Sequence, residues 1–139
     1  MKIGITYWSQ TGNTETMAKA IAEGVGEKGV EVDCVEIDNF SGVDEYDKLI
    51  LGCPSMGDEV LEEDDFEPFY ASIEKDLAGK KVALFGSYDW GDGQWMRDWE
   101  ERAKGNGIEI FEQGLIVNLE PDEDGIEACK KLGRDFCDF

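Results

Sequence analysis

Histidine is absent from this 139-residue chain. That excludes every His-based catalytic triad, every His metal ligand and every His acid–base couple. Basic residues are scarce: 13 Lys and Arg face 33 Asp and Glu, a formal charge of −20 at pH 7. Such a surface repels a nucleic-acid duplex or an anionic membrane and suits a basic protein partner. The four cysteines, Cys34, Cys53, Cys129 and Cys137, form no CxxC and no paired spacing. An iron–sulfur cluster, a zinc site and a thioredoxin-type dithiol are therefore not expected. Cys129 and Cys137 read instead as buried core thiols on one helical stripe with Leu132 and Phe136. No apolar run approaches the ~20 residues needed to cross a bilayer. MKIGITYW passes straight into a strand pattern, so no leader is expected ahead of it. Free thiols without a leader or a span predict a cytoplasmic protein.

Hydrophobic residues make up 41% and aromatics 11% of the chain. That is enough for one globular core and, at this length, only one, so residues 1–139 are expected to form a single domain. Residues 3–8 are apolar and β-rich, and 14–28 carry Met17, Ala20, Ile21 and Val25 at helical spacing. Strand patterns recur at 30–37, 49–53 and 82–87. Phe66, Phe69, Tyr70, Ile73 and Leu77 mark a second helix, and Trp95, Met96, Trp99 and Ala103 a third. Residues 108–111 and 115–117 read as one strand interrupted near Gln113-Gly114, and Ile126, Cys129, Leu132 and Phe136 line a closing helix. This alternation predicts an α/β fold, a doubly wound five-stranded parallel sheet with helices on both faces. Right-handed crossovers favour the strand order 2-1-3-4-5. Ligands of such sheets lie beyond the carboxyl ends of the strands, at the switch point between strands one and three. The loops after strands one, three and four are therefore the ones to read.

Ser9-Gln10-Thr11-Gly12-Asn13-Thr14 leads directly into a helix. Hydroxyls, an amide and first-turn N–H groups can hold a phosphate without any cation. The plainer reading is a capping loop, since Ser, Thr and Asn start helices everywhere. The loop lacks both the Gly-Lys-Ser/Thr ending of a Walker loop and the GxGxxG dinucleotide fingerprint. A tucked-in phosphate monoester fits it; Mg²⁺-dependent phosphoryl transfer does not. Pro54-Ser55-Met56-Gly57-Asp58-Glu59 follows strand three, and Ser87-Tyr88-Asp89-Trp90-Gly91-Asp92-Gly93 follows strand four. Met56 and Trp90 each stand beside glycine on the same rim, a pattern suited to clasping something planar. Glu59 could accept a hydrogen bond from a ring N–H, and Gly57 can turn its peptide cheaply. The competing reading buries Trp90 in the core and uses Met56 to fill a gap.

The stretches TYWSQTGNTE, LGCPSMGDEVLEE and KKVALFGSYDWGDGQWMRDWEER, with EPFY and NLEPDE, resemble segments of the flavodoxin family. The likeness is to the short-chain type of clostridia and related anaerobes, and it covers nearly the whole chain. It implies a non-covalently bound FMN and a low-potential one-electron carrier. Such a carrier shuttles between flavin semiquinone and hydroquinone and passes electrons between larger redox enzymes. Ser9, Gln10, Thr11, Gly12, Asn13 and Thr14 would hold the phosphate, with Ser55 or Ser87 adding a hydroxyl. Met56 and Trp90 would pack on the two ring faces, Glu59 would bond the flavin N3–H, and the Gly57 carbonyl would turn toward N5 on reduction. Backbone N–H groups of Ser87, Tyr88, Asp89, Trp90 and Gly91 would face N1 and the pyrimidine oxygens, and Pro54 and Asp58 complete the implied contacts. Three positions depart from the family pattern. Gln10 stands where relatives of this type often carry glycine, and Pro54 removes a donor beside the phosphate. Asp89 replaces the first glycine of a Tyr-Gly-Trp-Gly form and brings a carboxylate to the N1 edge.

Seven carboxylates fall between Asp58 and Glu67, and five between Glu120 and Glu127. Charge runs are ordinarily solvated faces. Flanking the presumed rim, these would also oppose negative charge on a reduced cofactor and steer a basic docking face. No acid–base residue is expected to act in the site, so the chain is expected to be a monomeric electron-transfer protein and not an enzyme. Its cofactor would carry the chemistry. The alternative on the same fold is an FMN-dependent quinone or nitro-group reductase, which needs a substrate pocket over a ring face. A signalling receiver domain needs an acidic pair after strand one, an Asp after strand three and a Lys after strand five. Thr6-Tyr7-Trp8, Cys53 and Asn118 stand there instead.

Overall fold

A computed structural model describes all of residues 1–139. Strands rich in Ile, Leu, Val and Phe on both faces are stable only when both faces are covered, and that requirement sets the architecture. In chain order the elements are β1 (Lys2–Tyr7), α1 (Asn13–Glu27), β2 (Glu31–Glu36), β3 (Lys48–Gly52), α2 (Phe66–Ile73), β4 (Lys81–Tyr88), α3 (Gln94–Gly105), β5 (Glu109–Ile110), β6 (Leu115–Asn118) and α4 (Glu123–Phe136). Every ladder is parallel, and the strands run β2-β1-β3-β4-β5, the predicted order. Ile5 of β1 is flanked in register by Cys34 of β2 and Ile50 of β3.

Two details differ from the sequence reading. The fifth strand position is filled by two short strands, so the sheet has six. β5 lies beside Lys81 and Val82, and β6 beside Phe85 to Tyr88. Between them Glu112 takes φ 51°, and the Gly114 N–H donates to the Glu100 carboxylate at 2.9 Å, which draws the chain off the ladder. The second helix is also shorter than its apolar period: beyond Ile73 it tightens into a 3₁₀ turn over Glu74–Leu77, a common way for a helix to end.

Successive residues of β3 point to opposite sides of the sheet. Leu49 and Leu51 join Val82 and Leu84 against Phe66, Tyr70, Trp95 and Trp99 of α2 and α3. Ile50 joins Ile3, Ile5, Ala83 and Phe85 against Met17 and Ile21 of α1 and Cys129 and Phe136 of α4. Cys53, Cys129 and Cys137 are buried and unpaired, and Cys34 is half-buried. The core-thiol reading of Cys129 and Cys137 holds. Burial pushes the Cys34 thiol up to about 11 and the Cys129 thiol up to about 12, so neither is a thiolate near neutral pH.

α1 and α4 cross backbone to backbone. A Cβ on Gly24 would strike the carbonyl oxygen of Lys130, and one on Gly133 the carbonyl oxygen of Ile21. Alanine in a helix interior normally gains ~0.5–1 kcal/mol over glycine. At this crossing the overpacking cost of ~1–3 kcal/mol outweighs that gain. Gly133→Ala is therefore expected to lower the urea midpoint with the m-value unchanged. Gly26→Ala, on the same helix as Gly24 but facing open space, is expected to raise it.

Candidate functional site

β1, β3 and β4 run parallel, so their carboxyl ends deliver three loops to one edge of the sheet. In the first, Ser9 Oγ accepts from the N–H groups of Gly12 and Glu15, both at 3.2 Å, and folds the loop under itself. Gly12, at φ 96°, opens α1 without any side-chain cap. The N–H groups of Gln10, Thr11, Asn13 and Thr14 find no acceptor within the protein. Unpaired donors at the positive end of a helix form an anion cradle, and all four residues line one cavity.

The other two loops are tied to the first through Ser87. Its hydroxyl shares a buried 2.8 Å hydrogen bond with Thr14 Oγ1, and its carbonyl accepts from the Ser55 N–H at 3.0 Å. Met56 and Val60 exchange backbone hydrogen bonds at 2.8 and 2.9 Å, closing a tight hairpin in which Gly57 (φ 52°) and Glu59 (φ 58°) are left-handed. Below it, burial pushes the Cys53 thiol up, and Cys53 Sγ accepts from the Glu62 N–H at 3.4 Å. In the third loop Trp90 is 57% exposed. The buried indole is Trp95, which donates to the Cys53 carbonyl at 3.2 Å and packs on Tyr88 at 5.6 Å between ring centroids. The reading that put Trp90 in the core is thus excluded. The N–H groups of Asp89, Trp90 and Gly91 have no acceptor within the protein.

Between the loops lies a cavity of about 340 Å³. Its walls include Ser9, Gln10, Thr11, Asn13 and Thr14, then Pro54, Ser55, Met56 and Gly57, and finally Ser87, Tyr88, Asp89 and Trp90. Four of the expected contact residues are not in the walls. Gly12 shapes the first loop from outside the cavity, Asp58 is exposed on the hairpin, and Gly91 lies beyond Trp90. Glu59 is the fourth. Its Oε1 accepts from the N–H groups of Asp92, Gly93 and Gln94, which ties the hairpin to the third loop and leaves Oε2 without a hydrogen-bond partner within the protein. Leu119, by contrast, joins the wall unforeseen. It is 52% exposed at φ 59°, and its N–H donates to the Tyr88 carbonyl at 2.7 Å. An apolar residue between Asn118 and Glu120 was the signal, but it follows β6 and not one of the three loops read.

The acidic runs are also less uniform than their composition implies. Glu62 is buried and accepts from the N–H groups of Asp64, Asp65 and Phe66 at 2.8, 2.8 and 2.7 Å, capping α2. Glu67 pairs with Arg102 at 2.6 Å, beside Glu74. Two neighbouring carboxylates push the Arg102 guanidinium pKa up, the Glu67 hydrogen bond most of all. Asp122 caps α4 through the Gly125 N–H at 2.8 Å, and Glu127 pairs with Arg134 at 2.7 Å.

An anion cradle on a helix N-terminus, with an exposed indole and a thioether on the same cavity, stands at the switch point of a parallel sheet, where doubly wound folds bind their ligands. The profile of the family described as Flavodoxin matches residues 5–133. The chain is 55% identical to the flavodoxin of Clostridium beijerinckii over 136 residues, which cover 94% of this chain and 98% of that protein. It is 44% identical to the flavodoxin of Megasphaera elsdenii over 134 residues, covering 95% and 96%. The crystal structure of oxidised Flavodoxin 1 from Bacillus cereus superposes with a TM-score of 0.86 at 32% identity, over 99% of this chain and 98% of that one. The chain belongs to the flavodoxin family, in its short-chain form. It is an electron carrier that works through FMN and turns over no substrate of its own. These relatives favour the carrier over the quinone or nitro-group reductase. No helix is long and apolar enough to cross a membrane.

Proposed function

We propose that residues 1–139 act as one FMN-binding domain, with the phosphate on residues 9–14 and the ring between Met56 and Trp90. The observation that carries this reading is the set of four acceptor-less N–H groups at Gln10, Thr11, Asn13 and Thr14 on the cavity wall. FMN, when bound, supplies the one-electron chemistry. The chain's own groups do the rest. The cradle neutralises a phosphate without any cation, and the Thr14 and Ser87 hydroxyls stand ready in the same wall. The N–H groups of Asp89, Trp90 and Gly91 are free to bond the pyrimidine edge of the ring. Gly57 keeps its peptide in a conformation that a residue without Cβ reverses at least cost. Met56 and Trp90 would exclude water from the ring faces.

Flavodoxins pass electrons to redox enzymes, and the cavity mouth suggests the kind of face that docks here. Trp90, Leu119 and Val60 are exposed apolar groups, set among exposed Asp58, Glu63, Asp89, Asp92 and Glu120. An apolar contact inside an acidic surround suits a basic docking face. The domain would act as a monomer in the cytoplasm, a compartment that four unpaired thiols support.

Riboflavin lacks the phosphate that the cradle would hold. Hydrogen bonds to a charged group are worth ~1.5–3 kcal/mol each, so riboflavin is expected to bind at least ~100-fold more weakly than FMN in a titration of the FMN-free protein. Equal affinities would overturn the cradle assignment. Electron-transfer rates to a basic partner are expected to fall at least ~10-fold between ~20 and ~500 mM salt, because the Debye length shortens below the reach of the charge field. A flat profile would mean that the apolar groups alone direct docking.

A further inference from the structure

Two carboxylates of the acidic stretch each close a helix N-terminus. Glu62 does so locally for α2, whereas Glu59 reaches out of its own loop into the next. Its Oε1 accepts from the N–H groups of Asp92, Gly93 and Gln94 at 3.2, 3.2 and 3.1 Å. This is the start of α3, whose N-cap, Gly93, has no side chain with which to bond the first turn. The turn is shaped to receive the acid. Gly91 and Gly93 hold φ of 88° and 96°, and their left-handed backbone curls successive N–H groups round one anion. A Cβ on Gly91 would strike the Glu59 carboxylate, so the missing side chain is what lets the acid in. Glu59 itself stands at φ 58°, a conformation that a non-glycine residue keeps only when its surroundings hold it there.

We propose that Glu59 is a positioning residue that ties the 56–60 hairpin to the 90–94 turn. Through that tether it sets where Trp90 and the free N–H groups of Asp89, Trp90 and Gly91 stand beside the cavity. The tether uses Oε1 alone, so the role is separate from any contact that Oε2 makes with the cofactor. What the tether positions rests on the FMN reading above; the tether itself belongs to the chain and is measurable without FMN.

The test is backbone amide exchange and relaxation by NMR on the full chain, with FMN and after its removal, in Glu59→Ala, Glu59→Gln and Gly91→Ala. The amides of Asp92, Gly93 and Gln94 are expected to exchange at least ~10-fold faster in Glu59→Ala, with Glu59→Gln, which keeps one acceptor oxygen, in between. Gly91→Ala reproduces the effect without removing a charge and adds little to it in the Glu59→Ala background. Residues 89–91 lose order while the sheet keeps its own, and the Kd for FMN rises ~10-fold or more. Unchanged exchange at the three amides overturns the tether, whatever happens to FMN binding. Faster exchange with order at 89–91 unchanged overturns the positioning role, whatever happens to FMN affinity. Amides that respond as stated in a chain that binds no FMN refute the cofactor reading and uphold the tether. If Glu59→Ala does not fold, Glu59→Gln and Gly91→Ala carry the same comparison.

Discussion

Ser87 is the point on which the cavity depends. It is the last buried residue of β4, fixed in register beside Val117 of β6. Its hydroxyl holds Thr14 at the start of α1, and its carbonyl holds the N–H of Ser55 behind β3. Three loops that would otherwise end independently are thereby referred to one position on a rigid strand. A cavity whose walls come from three loops keeps its shape only if the loops share such a reference, because ordering each separately costs conformational entropy. Ser87 thereby fixes the spacing between the free N–H groups of the first and third loops.

The charge of −20 divides into two populations with different work. Glu59, Glu62 and Asp122 accept from backbone N–H groups at the starts of α3, α2 and α4. There a carboxylate opposes the positive end of the helix; Asp122 is itself the N-cap of α4, while Glu62 and Glu59 stand in for the caps that α2 and α3 lack. Glu67 and Glu74 hold Arg102, which lies over the Tyr70 ring at 4.9 Å. The remaining exposed acids give the surface its field. Net charge alone does not separate structural carboxylates from those that a partner can meet.

The architecture was legible because β3 and β4 are apolar on both faces, and only a parallel sheet covered on both sides satisfies that pattern. The cavity walls were legible because the switch-point rule selects loops by position and these loops carry hydroxyls, glycines and two unusual apolar groups. The tether made by Glu59 was not legible because its partners are backbone N–H groups 33 to 35 residues away, and backbone donors leave no trace in composition or spacing. Leu119 was missed because β6 pairs with β4 as a separate strand, bringing a fourth chain segment to the rim. The crossing of α1 on α4 was invisible for a related reason: Gly24 and Gly133 look like helix-weakening residues until the Lys130 and Ile21 carbonyls are seen beside them.

The central claim is that backbone donors at the start of α1, with no cation, hold a phosphate monoester. The phosphorus NMR shift of protein-bound FMN, followed from about pH 5 to pH 9, tests it most directly. A free phosphate monoester loses its second proton near pH ~6, and hydrogen bonds to the charged form push that value down. The expected result is a bound resonance that stays at one position across the whole range, the signature of a dianion held in the cradle. A resonance that moves with a midpoint near 6, as free FMN does, would place the phosphate in solvent and contradict the assignment of residues 9–14.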